Sequence, residues 1–156
     1  QENINIRLMN IIDKYRIPHK LVDFEITETT ADNTSDSLDK IMKFFNERGI
    51  NFSLDDFGTG YSNQSNIMQY PYSIVKIDKS MVWACDSNPK AFVSLKHTVA
   101  MIKDLDMVVL AEGVETEEQK ELLNEIGVEY LQGYYFSRPL PVAETINILK
   151  NNISKN

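Results

Sequence analysis

Residues 50–62 read INFSLDDFGTGYS: a short apolar segment, then two adjacent aspartates, then a turn that contains two glycines. Neighbouring carboxylates disfavour each other's ionisation unless a positive group lies close to them. Asp55 and Asp56 therefore indicate a metal ion, a cationic substrate group or a basic side chain at the end of this predicted strand.

A short strand followed by a helix is predicted five times along the chain. The strands are predicted within residues 21–29 (LVDFEITET), 50–56 (INFSLDD), 72–78 (YSIVKID), 107–113 (MVVLAEG) and 128–133 (VEYLQG). Apolar residues at helical spacing precede the first strand and follow the last one. Such alternation predicts an α/β domain of parallel strands joined by right-handed crossovers.

The charge and composition of the chain indicate which partners it is not suited to bind and where in the cell we expect it. The formal net charge of −7 argues against a nucleic-acid polymer as partner, because such binding relies on a basic surface. The single cysteine, Cys85, permits no internal disulfide, and no apolar run is long enough to span a membrane. We therefore expect a cytoplasmic location, although a longer parent protein could carry a membrane anchor.

Polar side chains follow every predicted strand at its carboxyl end. In a parallel sheet these ends share one edge, which is where α/β proteins build their sites. The acids on this edge outnumber its single lysine, so they require divalent cations, and oxygen ligands favour Mg²⁺, Mn²⁺ or Ca²⁺. The residues concerned are Glu25, Glu28, Asp55, Asp56, Lys76, Asp78, Glu112, Glu115 and Gln132.

Two other interpretations stay open on these residues alone. An acid that follows a strand is most often a helix cap or a turn residue, which would suit Glu115 and the adjacent Thr116. A lysine among carboxylates also suits proton abstraction beside Mg²⁺. That chemistry needs a second base, however, and no second lysine or histidine ends a predicted strand.

Five segments in one order carry a resemblance to a known family: EITET, LDDFGTGYS, VKID, AEGVET and QGYYFSRPLP. Together they resemble the EAL domain, the family of bacterial cyclic di-GMP phosphodiesterases, over residues 1–145. The resemblance implies a TIM-barrel-like (β/α) fold. It also implies cyclic di-GMP as ligand, its hydrolysis to pGpG, and a pair of Mg²⁺ or Mn²⁺ ions as cofactors.

The resemblance assigns roles to the matching residues. Four would be metal ligands: Glu25, Asp55, Asp56 and Glu112. Three would take part in catalysis: Lys76, Glu112 and Gln132. Three would anchor a loop or support the ligands: Glu28, Asp78 and Glu115. Two would contact the substrate: Gln132 and Pro139.

Two segments of the family pattern are absent from this sequence. They are the Glu-Ala-Leu motif and an Asn-x-Ser motif, each of which supplies a metal ligand in the family. A complete (β/α) barrel usually needs about 200–250 residues, so we expect a partial EAL domain over residues 1–156 with about five strands, which is weakly active or inactive on its own.

Several consequences follow for partners and for the alternative function. Open sheet edges recruit strands from other chains, so we expect a homodimer. The parent protein would add sensory or diguanylate cyclase domains. The alternative function is a degenerate EAL module that binds cyclic di-GMP or a protein partner without catalysis.

Overall fold

The predicted five-stranded parallel sheet is present. The structure is a computed structural model that describes residues 4–27, 30, 35–59 and 64–153. Neighbouring strands all pair in parallel, and their order in the sheet is their order along the chain. The strands are β1 (Asp23–Thr27), β2 (Asn51–Phe57), β3 (Ile74–Ile77), β4 (Val108–Ala111) and β5 (Tyr130–Leu131).

Helices flank the sheet and connect its strands. They are α1 (Ile4–Lys14), α2 (Ser35–Asn46), α3 (Gln64–Gln69), α4 (Lys79–Ala84), α5 (Pro89–Asp104), α6 (Glu117–Glu125) and α7 (Val142–Ile153), together with a single 3₁₀ turn at His19–Leu21. Within the part of the chain that the structure describes, no helix is both long enough and apolar enough to cross a membrane.

Helix α4 is absent from the sequence prediction, which passes directly from the third strand to the long helix α5. Its six residues are too few to show a helical repeat of apolar positions. The helix begins because the Asp78 side chain accepts a hydrogen bond from the backbone N–H of Ser80 at 2.8 Å. This N-cap satisfies one of the unpaired donors of the first turn.

One face of the sheet packs against the helices. Successive side chains of a strand point to opposite faces, and the register pairs Phe24 with Phe52 and Val75 with Val109. The ring centroid of Phe24 lies 4.9 Å from that of Phe45 in α2. Phe52, Val75 and Val109 are fully buried, and each such side chain stabilises the fold by about 1.5–3 kcal/mol. The alternate residues of each strand therefore point away from this apolar core, to the opposite face of the sheet.

His19 joins the end of α1 to the turn after α2. Its Nε2 lies 2.8 Å from Asp13 Oδ1, and its Nδ1 lies 2.8 Å from the Arg48 carbonyl oxygen. Both partners only accept hydrogen bonds, so the two contacts together require the doubly protonated imidazolium. The hydrogen bonds to Asp13 and to Arg48 raise the pKa of His19 against a smaller opposing effect of burial.

This contact predicts a pH-dependent contribution to stability. Because the folded state raises the pKa, the stabilisation is complete below the ordinary value of 6.5 and is lost as pH rises through the raised value. Urea unfolding of the chain and of His19→Gln should differ more at about pH 5.5 than at about pH 9. His97→Gln, which changes the other histidine, exposed on α5, is the control. An equal effect of His19→Gln at both pH values would show that the imidazolium is not what stabilises this contact.

Candidate active site

The side chain of Lys76 lies at the centre of a cluster of carboxylates at the carboxyl edge of the sheet. Its Nζ is 2.9 Å from Glu25 Oε1, from Asp55 Oδ1 and from Glu112 Oε1. Lys76 is only 9% exposed, whereas Glu25 is 54% exposed. The three contacts bring together residues of β1, β2 and the segment directly after β4.

The carboxylates keep this buried ammonium charged. Burial by itself lowers the pKa of Lys76. The contacts with Asp55, Glu25 and Glu112 act in the opposite direction and outweigh it, so the pKa of Lys76 is raised well above its ordinary value. Lys76 therefore carries a positive charge throughout the neutral pH range and offsets part of the negative charge around it.

Strand alternation places these side chains on the face that the helices leave open. Lys76 pairs with Leu110 in the ladder between β3 and β4. Glu112 lies two residues after Leu110, and its backbone N–H donates to the Ile77 carbonyl at 3.0 Å. Since residues two apart share a face of the sheet, Glu112 extends towards the same side as Lys76. The predicted convergence of the strand ends thus has two causes. Side chains alternate between the two faces of each strand, and the strands are aligned so that Lys76 and Glu112 lie side by side.

A bulge in β2 explains how two consecutive aspartates can share the site. Leu54 pairs with Val75 and Phe57 with Ile77, so β2 advances three residues where β3 advances two. Asp56 has a positive φ of 58°, the left-handed conformation that aspartate tolerates better than most residues. An unbroken strand would direct Asp55 and Asp56 to opposite faces. With the bulge, both carboxylates remain at the carboxyl edge.

Three of the four predicted metal ligands form a compact group of oxygen donors. Asp55, Asp56 and Glu112 each offer a carboxylate oxygen, and these atoms lie within 4.8 Å of one another. Asp55 Oδ1 is buried, and the ammonium of Lys76 lies 2.9 Å from it. A compact group of three carboxylates offers the hard oxygen ligands that fit a divalent cation such as Mg²⁺, Mn²⁺ or Ca²⁺. The fourth predicted ligand, Glu25, contacts Lys76 and is not a member of this group.

The remaining predicted residues lie around the cluster or outside it. Gln132 follows β5 and lines a cavity together with Glu112 and Glu115. Asp78 caps α4. Pro139 is exposed and does not line that cavity. Glu28, the predicted loop anchor, lies outside the described residues.

Sequence reasoning missed the other side chains that line this cavity of about 280 Å³. They are Lys79 and Trp83 of α4 and Tyr134, which follows β5. Trp83 is the single tryptophan of the chain and lies seven residues after Lys76. This proximity to Lys76 in the sequence is the signal that could have indicated its place in the cavity.

The segments that carry this constellation also identify the family. Residues 1–139 match the EAL domain. This chain belongs to the EAL domain family. Its predicted fold class is confirmed as well, because solved EAL domains superpose on the five parallel strands and their helices, with TM-scores of 0.88 and 0.89 for two of them.

Individual relatives are much longer than this chain. It is 41% identical over 135 residues to the signaling protein YkoW of Bacillus subtilis, which covers 86% of this chain and 17% of YkoW. It is 33% identical over 132 residues to the cyclic di-GMP phosphodiesterase RocR of Pseudomonas aeruginosa, with coverage of 84% and 33%. The chain therefore spans a third or less of the length of these two relatives.

A solved structure of a relative contains a metal and the nucleotide together. The manganese/cy-diGMP complex of Klebsiella pneumoniae BlrP1 has a TM-score of 0.83 and 29% identity to this chain, with 89% of this chain and 36% of BlrP1 covered. A divalent ion in that relative agrees with the oxygen-donor group found here. The roles of the individual residues stay predictions.

Replacing the central ammonium should destabilise the fold. We expect Lys76→Met to lower the free energy of unfolding by about 2 kcal/mol at neutral pH, below the roughly 3–5 kcal/mol for breaking a fully buried pair, because Glu25 is half exposed to solvent. Urea unfolding measures this loss, and Lys40→Met, at an exposed position of α2, is the control. The loss should shrink in acid, where the carboxylates are protonated; a loss independent of pH would point to packing alone.

Removing a charge from the oxygen-donor group should weaken cation binding. Asp56→Asn keeps the size and the left-handed tolerance of the side chain and removes one anionic ligand. Calorimetric titration with Mn²⁺ should show an affinity at least about tenfold lower than that of the unchanged chain. Asp39→Asn, on the exposed side of α2, should leave the affinity unchanged, and equal affinities for all three proteins would rule out this group as the binding site.

Proposed function

We propose that this chain supplies the carboxylate-rich part of a metal-dependent cyclic di-GMP phosphodiesterase site. The observation that carries the proposal is the convergence of Asp55, Asp56 and Glu112 within 4.8 Å of one another beside the buried ammonium of Lys76. Family membership and relatives named as cyclic di-GMP phosphodiesterases support cyclic di-GMP as the substrate.

Asp55, Asp56 and Glu112 would hold the ions, for which we propose Mg²⁺ or Mn²⁺. When bound, such ions lower the pKa of water and offset the charge that develops on phosphodiester oxygens during in-line displacement. The residues of the chain organise that chemistry. Lys76 holds the carboxylates of Asp55 and Glu112 in a fixed orientation and adds a positive charge beside them, where an anionic phosphate would lie.

Gln132 completes one border of the proposed site. Its backbone N–H donates to the Ala111 carbonyl at 2.9 Å, and its carbonyl accepts from the Val114 N–H at 3.0 Å. These bonds fix the residue against the loop that carries Glu112. From there the Gln132 amide could donate to a phosphate oxygen or orient a water molecule, as the family resemblance implies.

Binding without turnover is the second candidate function. Among the described residues, only three acidic side chains form the oxygen-donor group, which is fewer than a pair of ions needs. Lys76 already neutralises part of the charge of Asp55 and Glu112. A site with these properties could hold cyclic di-GMP and one ion without cleaving the phosphodiester.

Expectations about assembly and location are proposals too. The exposed apolar side chains of α7, among them Val142 and Leu149, support packing against another element, either further parts of an EAL domain or a second copy in a homodimer. Coverage of a third or less of YkoW and RocR supports additional domains, which we propose to be sensory or diguanylate cyclase domains. We propose a cytoplasmic location for the site.

The test measures conversion of cyclic di-GMP to pGpG by this chain with Mn²⁺, followed by chromatography. We expect slow formation of pGpG that needs Mn²⁺ and falls at least about 100-fold with Asp55→Asn, as for loss of about 2.7 kcal/mol of transition-state stabilisation. Asp39→Asn should retain the rate of the unchanged chain.

Calorimetry with cyclic di-GMP separates the two candidate functions. Saturable binding without any pGpG would favour the binding module over the enzyme. Turnover that persists in Lys76→Ala would remove the role proposed for that ammonium. Absence of both binding and turnover would contradict both candidates.

A further inference from the structure

The oxygen-donor group is assembled from two segments that lie on either side of β3. Asp55 and Asp56 lie near the end of β2, whereas Glu112 follows β4, and their carboxylate oxygens lie within 4.8 Å of one another. Carboxylates this close repel each other when no cation lies between them. Lys76 pairs with the side chains of Asp55 and Glu112, so the backbone that carries these side chains remains to be fixed.

Helix α4 packs against both of these segments, and a glycine in each segment permits its approach. Gly113 directly follows Glu112, and a Cβ at this position would overlap the Cβ of Lys79 in α4. Gly58 lies in the segment that follows the two aspartates, and a Cβ there would overlap the Met81 sulfur of the same helix. One short helix therefore contacts the chain next to every member of the oxygen-donor group.

Trp83 of α4 adds a directed bond to the contact with the loop after β4. Its indole N–H donates to the Gly113 carbonyl at 2.8 Å, and the backbone N–H of Glu112 donates to the Ile77 carbonyl at 3.0 Å. The backbone of residues 112–113 is thus held from two directions. Trp83 is 39% exposed, so water could satisfy the indole if the contact opened. The fold therefore does not need this bond in order to avoid a buried unpaired donor.

We propose that Trp83 is a positioning residue for the divalent ion. Its indole N–H fixes the loop after β4 against α4, which keeps Glu112 within reach of an ion held by Asp55 and Asp56. The inference rests on the proposed function, because it takes the ion site from it. A loop that is fixed before the ion arrives loses less conformational freedom on binding, so the affinity for the ion rises. Trp83 itself supplies no ligand.

The single tryptophan of the chain permits a test that changes one group. Incorporation of the benzothiophene analogue of tryptophan replaces the indole N–H of Trp83 by sulfur and retains the shape of the ring. Calorimetric titration with Mn²⁺ should then give a dissociation constant about fivefold higher than that of the unchanged chain, as for the loss of one hydrogen bond. Tyr15→Phe removes the hydroxyl of an exposed tyrosine after α1 and, as the matched control, should leave the dissociation constant unchanged.

A second measurement uses the unchanged chain, so that no variant can misfold. Coupling between two sites is reciprocal: if the indole contact strengthens ion binding about fivefold, a bound ion stabilises the contact by the same factor. Exchange of the Trp83 indole N–H with solvent, followed by NMR, should therefore be about fivefold slower in saturating Mg²⁺ than in EDTA. A ring that only packs against the fold would exchange at the same rate in both solutions.

Equal Mn²⁺ affinity of the analogue and the unchanged chain, or an exchange rate that Mg²⁺ leaves unchanged, would overturn the proposal. Failure of this proposal and failure of the proposed function are distinguishable. Mn²⁺ binding that the analogue does not weaken retains the ion site and removes the role of Trp83. Weaker binding by the analogue, in a chain that forms no pGpG, retains that role and removes the enzyme. A chain that binds no Mn²⁺ at all contradicts both.

Discussion

The ammonium of Lys76 is the group on which the carboxyl edge of this sheet depends. A charged amine that is 9% exposed is costly to bury alone, and so is a cluster of carboxylates without a cation. Each makes the other tolerable, since Nζ reaches Glu25, Asp55 and Glu112 at 2.9 Å each. These contacts form only while β1, β2, β3 and β4 keep their alignment in the sheet. The charge balance of the site therefore depends on the alignment of the strands, and the ion pairs in turn stabilise that alignment.

The bulge in β2 reconciles the site with the apolar core. In an unbroken strand, Asp56 would face the helices and Phe57 would face the carboxylates. The extra residue opposite β3 returns Phe57 to the helix side, where it is 4% exposed. The cost is a left-handed residue at Asp56, typical of the local strain found at functional sites. A regular strand could not place Asp56 at the site and also bury Phe57 against the helices, so β2 departs from regular strand geometry at this point.

Sequence reasoning predicted the features that follow from the spacing of apolar and polar residues. It missed the features that arise where segments distant in sequence pack closely together. Alternating apolar positions gave the five strands, and parallel chain direction gave the convergence of Asp55, Lys76 and Glu112. Helix α4 escaped because a cap at Asp78 starts it and no periodic stripe marks it. The cavity at Trp83 escaped because it forms only where Gly113 and Gly133 let two backbones approach closely. No local pattern of letters encodes that approach.

The partial neutralisation by Lys76 leaves the site attractive to cations. Glu25, Asp55 and Glu112 contact a single ammonium, and the carboxylate of Asp56 lies close to two of them, so the negative charge remains in excess. Asp55 and Glu112 belong both to the contacts of Lys76 and to the oxygen-donor group. A cation bound by the oxygen-donor group would share the carboxylates of Asp55 and Glu112 with the ammonium. Two positive groups that share the same ligands repel each other, and an anionic phosphate between them would relieve that repulsion. Under the proposed function, this charge arrangement would favour binding of a cation together with a phosphodiester over binding of a cation alone.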